Sequence, residues 1–283
     1  PLMMIDFEYR RMDAGLNYKF SPTSQAWLKV GEGAEVVPLS GAFHSQDVAD
    51  TINGLLGTAI GPVGRITTYN QDTSQRDIQF RHTFDWSPAA QLSWGAERAQ
   101  SGKPLNISIV FLPFETTLFK DNRVEQNSAY VSGRFKLSSA LEGQVDLHYQ
   151  DTETSFAVNQ TVVIGGLPIV LPPLAGATTY QELNPRIGLK WHPVPGQTVR
   201  LAGQIWRKPG AVNTLAPIDT VGIPLDDRIQ RDGGRLKRVR AQHEIELDRA
   251  TFMQWFADYK EIRNPDDLGA AVVPDLELEQ LER

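Results

Sequence analysis

From Ala129 to Tyr149 the chain alternates strictly. Ala129, Val131, Gly133, Phe135 and Leu137 oppose Tyr130, Ser132, Arg134, Lys136 and Ser138, as they must on a strand, whose successive side chains point to opposite faces. After a turn near Ser139-Ala140, Leu141, Gly143, Val145, Leu147 and Tyr149 oppose Glu142, Gln144, Asp146, His148 and Gln150. The same unit recurs. Ile78, Phe80, Phe84 and Trp86 oppose Gln79, Arg81, Thr83 and Asp85, with His82 on the apolar face; the chain turns through Ser87-Pro88-Ala89-Ala90 and returns with Leu92, Trp94 and Ala96. Leu183, Ile187, Leu189 and Trp191 oppose Asn184, Arg186, Lys190 and His192, turn at Pro193-Val194-Pro195-Gly196, and return with Val199, Leu201, Gly203 and Ile205. Pro presets φ in such turns and Gly supplies the permissive position. Weaker copies turn at Ser21-Pro22-Thr23-Ser24 and near Arg249-Ala250-Thr251, the first preceded by one more alternating strand around Phe7. The pattern predicts an all-β, antiparallel, up-and-down chain of about eleven strands.

Connection length gives the pattern a direction. Between the hairpins lie segments of roughly 25 to 40 residues rich in Gly, Pro, Asn, Thr and Asp, such as Val37 to Gln75 and Pro209 to Gly234, and structureless loops of that length are uncommon in compact soluble domains. Short turns on one side and long loops on the other are the habit of outer-membrane barrels. The alternating stretches also have about the ten residues that cross a bilayer at a tilt near 45°. Trp27, Trp86, Trp94, Trp191 and Trp255 lie within a few residues of a short turn, where an interfacial aromatic girdle would place them. On the long side, an amphipathic turn of helix is expected around Ser45 to Leu56, and the apolar run between Thr161 and Leu174 is expected to fold into the lumen or meet a partner, burial on its own barrel being the commoner fate of such a loop.

A barrel assigns the faces. Arg81, Arg134, Lys136, Asp146, Arg186, Lys190, Arg200, Arg238, Arg240 and Glu244 are expected to face the lumen, because a basic side chain facing lipid costs roughly 2 to 4 kcal/mol near the midplane. Phe80, Trp94, Val131, Phe135, Leu147, Leu189, Leu201 and Trp255 are expected to face lipid.

Composition agrees with this reading and narrows it. Hydrophobic residues make up 41% of the 283, mean hydropathy is -0.31, and no run reaches the roughly 18 apolar residues that a membrane-crossing helix needs. Barrel strands produce no such peak, so low hydropathy leaves a membrane location open. The absence of cysteine removes disulfides and thiol catalysis. The net charge of -6, without a basic face, argues against nucleic acid as a partner. His44, His82, His148, His192 and His243 stand singly without zinc-ligand spacing, and no nucleophile elbow, P-loop or dinucleotide fingerprint occurs, so neither cofactor nor catalytic site is expected. Asp226-Asp227 and Asp266-Asp267 read as solvated turns. A β-propeller also repeats antiparallel strands, but with four per unit rather than two. A β-sandwich or a sugar-cleaving β-protein is the other soluble alternative.

With YKFSPTSQAWLKV, HTFDWSPAAQLSWGAE and FKLSSALEGQVDLHYQ, the chain resembles the barrel portion of TonB-dependent-receptor-like outer-membrane proteins. WRKPGAVNTLAPIDTVGIPLDD and VPDLELEQLER are similar to barrel regions downstream of tetratricopeptide repeats. No plug domain or TonB box is visible, and the last residue is Arg283 where a terminal aromatic would stand. Residues 1–283 are therefore expected to be part of one outer-membrane barrel, truncated at both ends. The resemblance implies passage of a solute or polymer across the bacterial outer membrane, by receptor-like uptake or as a porin. Its partners would be outer-membrane lipid and a periplasmic energy-coupling protein. Polysaccharide export coupled to periplasmic repeats is the alternative in the same class.

Overall fold

The computed structural model describes residues 3–5, 8–44, 53–54, 63–111, 114–208, 214–225, 227, 229–230, 233–248, 251–265 and 277–282. The strands are β1 (Met3–Ile5), β2 (Glu8–Ser21), β3 (Ser24–His44), β4 (Val63–Ser87), β5 (Ala90–Phe111), β6 (Phe114–Lys136), β7 (Leu141–Ile164), β8 (Leu167–Val170), β9 (Leu174–Trp191), β10 (Gln197–Arg207), β11 (Asp219–Thr220), β12 (Ile223–Pro224), β13 (Arg235–Glu246), β14 (Phe252–Pro265) and β15 (Glu277–Glu282). All but β11 and β12 form one sheet of thirteen strands. Because β1 and β2 both pair with β3, and β8 and β9 both pair with β7, the sheet has eleven rows, each antiparallel to the next. It is an up-and-down meander, part of a barrel, and among the described residues it does not close.

The short turns fall where the sequence puts them. Ser21 pairs with Ser24 and Ser87 with Ala90, leaving two-residue turns at Pro22-Thr23 and Pro88-Ala89. Leu247 and Asp248 donate to the Thr251 carbonyl, although Arg249 and Ala250 lie outside the described residues.

The long side differs from expectation. Much of each segment read as loop is strand: β3 runs on to His44, β4 begins at Val63, and β5 and β6 stay paired up to Phe111 and Phe114. The run from Thr161 to Leu174 is a hairpin tip, closed by Gly165 and Gly166 at φ +57° and +85°, with Leu167 and Val170 73% and 75% exposed rather than buried. Strands of this kind are hard to recognise from sequence because they mix apolar and polar residues without a sustained alternation. Of the expected helix, only Asn53 and Gly54 are described, and both are helical.

These long strands carry two zones. For about ten residues from the short turns, a membrane's worth of strand, one face is apolar and exposed, with Ile78, Trp94, Val131, Leu147, Ile187 and Val239 all near half exposed. The rows end where the exposed pairs Arg76–Glu32 and Arg98–Glu125 begin on that face. Burial inside is mostly polar: Gln79, Ser93, Ser132, Gln144, Asp146, His148, Gln150, Asn184 and Arg186 are all buried. Polar inside and apolar outside is the reverse of a water-soluble protein.

The far halves of β5 and β6 should therefore exchange backbone amide hydrogens slowly. Hydrogen–deuterium exchange read by mass spectrometry on the protein in detergent is expected to show protection through 101–108 and 116–124. Immediate exchange there would restore the loop reading.

Candidate functional site

Cross-strand register sorts the side chains, since residues directly opposite one another in an antiparallel pair share a face. One row runs Ser93, Ser132, Asp146, Arg186, Gln204, Arg238, Lys260. Its neighbour toward the long side runs Trp27, Arg81, Gly95, Tyr130, His148, Asn184. Toward the turns follow Arg134, Gln144, Gly188, Ala202, Arg240, Asp258, and then Lys136, Glu142, Lys190, Arg200, Gln242. Glu244 lies two residues beyond Gln242 on the same face. All ten residues expected in the lumen thus share one face. Phe80, Trp94, Val131, Phe135, Leu147, Leu189, Leu201 and Trp255 share the opposite one, where Trp94 pairs with Val131 and Val131 with Leu147.

Trp27 corrects the girdle. It stands opposite Arg81, whose guanidinium carbon lies 5.6 Å from its ring centre, on the polar face. Trp86, Trp94, Trp191 and Trp255 remain on the exposed face, 48–72% exposed.

A second correction concerns the connection between β10 and β13, expected to project as a loop. Residues 214–225, 227, 229 and 230 lie across the polar face. The Thr214 hydroxyl and the Leu215 and Ala216 N–H groups donate to Glu97 of β5, and Arg81 of β4 donates to the Leu215 carbonyl. Gln144 of β7 donates to the Asp219 carbonyl and accepts from Val221 N–H at 2.9 Å. Arg186 of β9 donates to the Pro217 carbonyl at 2.8 Å, Gln204 of β10 to Ile223, and Arg238 of β13 to Pro224. Asn264 of β14 donates to Ile229. Seven strands hold one segment. Ile223 and Leu225 of the segment are 0% and 2% exposed, and Leu236 and Ile262 are equally buried, while Ile218 is exposed.

Two backbone details locate the tip of the segment. β11 and β12 form a hairpin through Val221 and Gly222, at φ +50° and +86°, a turn that demands positive φ at both centres and suits Asn-Gly, not a β-branched residue. Gly188 lies beneath it. A Cβ there would stand 2.7 Å from Val221 Cγ2 and 2.8 Å from Thr220 Cγ2, so glycine lets the tip sit down.

Electrostatics complete the seat. Arg186 and Asp146, each with a side chain 0% exposed, lie 3.5 Å apart. Asp227, read as a solvated turn, is 7% exposed and meets Arg238 at 2.7 Å and Lys260 at 3.2 Å. Burial opposes its ionisation, but the Ile229 N–H, the Lys260 ammonium and Arg238 outweigh that cost and hold its carboxyl below the usual range. Asp226, Asp266 and Asp267 lie outside the described residues. Nearer the short turns a cavity of about 810 Å³ opens, lined among others by Trp86, Arg134, Lys136, Lys190, Arg200 and Asp219. Among the described residues no cluster of His, Asp and Glu could hold a metal ion.

Residues 4–234 match the family model described as TonB dependent receptor-like, beta-barrel. The chain belongs to that family. Two solved structures show the same fold. The ferric yersiniabactin uptake receptor FyuA from Yersinia pestis superposes with a TM-score of 0.61 at 11% identity, over 90% of this chain and 36% of FyuA. The ferric-catecholate import receptor Fiu from E. coli K12 gives 0.57 at 8% identity, over 91% of this chain and 41% of Fiu. This TonB-dependent-receptor-like chain thus spans about two fifths of either receptor. Like its family it is a bacterial outer-membrane protein. No curated protein matches it.

Sequence reasoning missed Glu97, Gln144, Gln204, Asp227 and the tip Val221-Gly222. A signal was present: Ile223 and Leu225, one residue apart in a segment read as loop, repeat the alternation of a buried face.

Docking of the segment should weaken in acid. Asp227 titrates lower when docked than when free, so its contribution is complete above the ordinary carboxylate value of about 4 and is lost as pH falls through the docked value. Acrylamide quenching of Trp206, with the other tryptophans replaced by Phe, should stay low at neutral pH and rise at acid pH. Asp227→Asn should quench strongly at both, and a variant that matches the parent at every pH would contradict this.

Proposed function

We propose that residues 1–283 form part of a single outer-membrane barrel through which a solute is taken up, its polar face lining the lumen and its exposed apolar face meeting lipid. The observation that carries this reading is the membrane-thick band in which every predicted charged residue stands on one face and every predicted apolar residue on the other. Charges in that band cannot meet hydrocarbon without a penalty of roughly 2 to 4 kcal/mol each near the midplane. They are tolerable around water. The family adds a periplasmic energy-coupling partner, and FyuA and Fiu, receptors for ferric yersiniabactin and ferric catecholates, make solute uptake the role that fits the fold.

The cavity at the short-turn end adds a selectivity element. Lys190 lies 3.7 Å from Glu142 and Arg134 3.8 Å from Asp219, contacts too long to quench either charge fully. The Arg134 side chain is 53% exposed. The mouth of the path thus presents accessible cations.

Single cysteines in the complete protein test the face assignment, since the native sequence has none. A water-soluble thiol reagent should label Lys136→Cys and Lys190→Cys and spare Leu147→Cys and Leu189→Cys in the membrane; equal labelling of both sets contradicts it. Planar-bilayer recording tests the path. Replacing Arg134, Lys136, Lys190 and Arg200 together with Gln should move the reversal potential toward cation selectivity, whereas no conductance, or no shift, removes the conduit.

A further inference from the structure

Around Arg186 and Gln204, which hold residues 214–225, the wall carries a concentration of polar atoms without partners among the described residues. Tyr130, Asp146, His148, Gln150, Asn184, Arg186, Gln204 and Trp206 are 0–5% exposed. Among the described residues, the Tyr130 hydroxyl, both ring nitrogens of His148, Asp146 Oδ1, Gln150 Nε2, Asn184 Oδ1, Arg186 Nη2, Gln204 Oε1 and Trp206 Nε1 have no hydrogen-bond partner. The groups are contiguous. Ring centres of Tyr130 and His148 lie 6.1 Å apart, those of His148 and Trp206 5.1 Å apart, and the Arg186 guanidinium carbon is 5.5 Å from the Trp206 ring. Asn184 donates to Gln150 at 3.2 Å, which joins the amides to the cluster. Buried polar groups are normally satisfied, because each unmade bond costs free energy. A row of them across four strands has the character of a surface built to meet something else.

Its chemistry narrows what that is. Donors (Tyr130, Trp206, Arg186, Gln150) and acceptors (Asp146, Asn184, Gln204) are interleaved, with His148 able to serve as either. A hydroxyl group donates and accepts at one atom and so matches such a mixture. Aromatic faces suit the C–H faces of a ring. Arg186 is balanced by Asp146, so the floor offers no net charge to an ion. The segment lying on it already imitates such a guest: the Leu215, Pro217, Asp219 and Ile223 carbonyl oxygens accept from Arg81, Arg186, Gln144 and Gln204, the positions that solute oxygens would take. The tip is held under strain, since Val221 keeps a positive φ that β-branched residues avoid.

We propose that the floor formed by Tyr130, His148, Asn184, Arg186, Gln204 and Trp206 is a binding site for a neutral polyhydroxylated solute of oligosaccharide chemistry, which residues 214–225 occupy as a built-in competitor until they lift. This deepens the conduit reading and rests on it. The cover takes Arg186 and Gln204 of this floor, so cover and solute compete for those two donors.

Calorimetry on the full-length protein in detergent, with maltohexaose, cellohexaose and xylohexaose as probes and citrate as the anionic comparison, tests the site. Gly188→Leu pushes the tip off its seat and should tighten binding of at least one hexasaccharide about tenfold, while Trp206→Ala in that background should weaken it by a similar factor. Joining Gln144→Cys to Val221→Cys by a disulfide should abolish binding, and reduction should restore it. Heat-shifted gel migration reports whether each variant is folded, and Val221→Asp serves as a second cover-releasing variant should Gly188→Leu fail that check. Binding that ignores the disulfide, preference for citrate, or no hexasaccharide bound by the released variant overturns the proposal. Conductance that persists without saccharide binding removes this inference and leaves the conduit standing; loss of conductance as well removes both.

Discussion

Hydrocarbon offers neither hydrogen bonds nor hydration, and the rest of this structure follows from that. Every backbone group in the membrane must find its partner on a neighbouring strand, and every charge must stand on the face turned away from lipid. A period of two residues meets both demands at once. Ile78, Val131, Leu147 and Ile187 are exposed, while Asp146, Arg186 and Arg238 are buried on the other face. Where the strands outrun the membrane the constraint ends. Beyond Arg76, Glu32, Arg98 and Glu125 the strict division of faces ends, and buried Ile66 and Val158 stand among polar residues.

A sheet with a polar inner face has no oily core to close over. What settles on it here is a segment of the chain itself, positioned by side chains from seven strands that reach its backbone. Hydrogen bonds are directional, so they fix one placement of residues 214–225. Apolar burial centres on Ile223 and Leu225, with Ala216, Leu236 and Ile262 also buried. Gly188 and Val221 show that wall and segment were shaped together, one by leaving out a side chain and the other by accepting an awkward backbone.

Charge follows the same division. Under the segment, Arg186 has Asp146, and Arg238 has Asp227 and Asp258. Desolvated charges are costly unless paired, which accounts for the pairing. At the short-turn mouth, where water is at hand, Arg134 remains half exposed because no such demand applies. The wall's ion pairs are buried where it is covered and reach solvent where it is open.

The sequence by itself determined the strands near the short turns, their order, their turns and their two faces, because alternation over about ten residues is a local pattern imposed by the solvent on each side. The rows through Arg134, Asp146 and Lys190 follow from that alternation alone. It did not reveal the far halves of β4 to β7, whose mixed sequences read as loops, since ladder hydrogen bonds join backbone groups and by themselves impose no side-chain pattern. Nor did it show that Trp27 points inward, or that the stretch around Val221 folds back over Gly188. Those facts depend on groups such as Glu97 and Ala216, far apart in the chain and brought together by the curvature of the sheet, so only the tertiary structure could decide them.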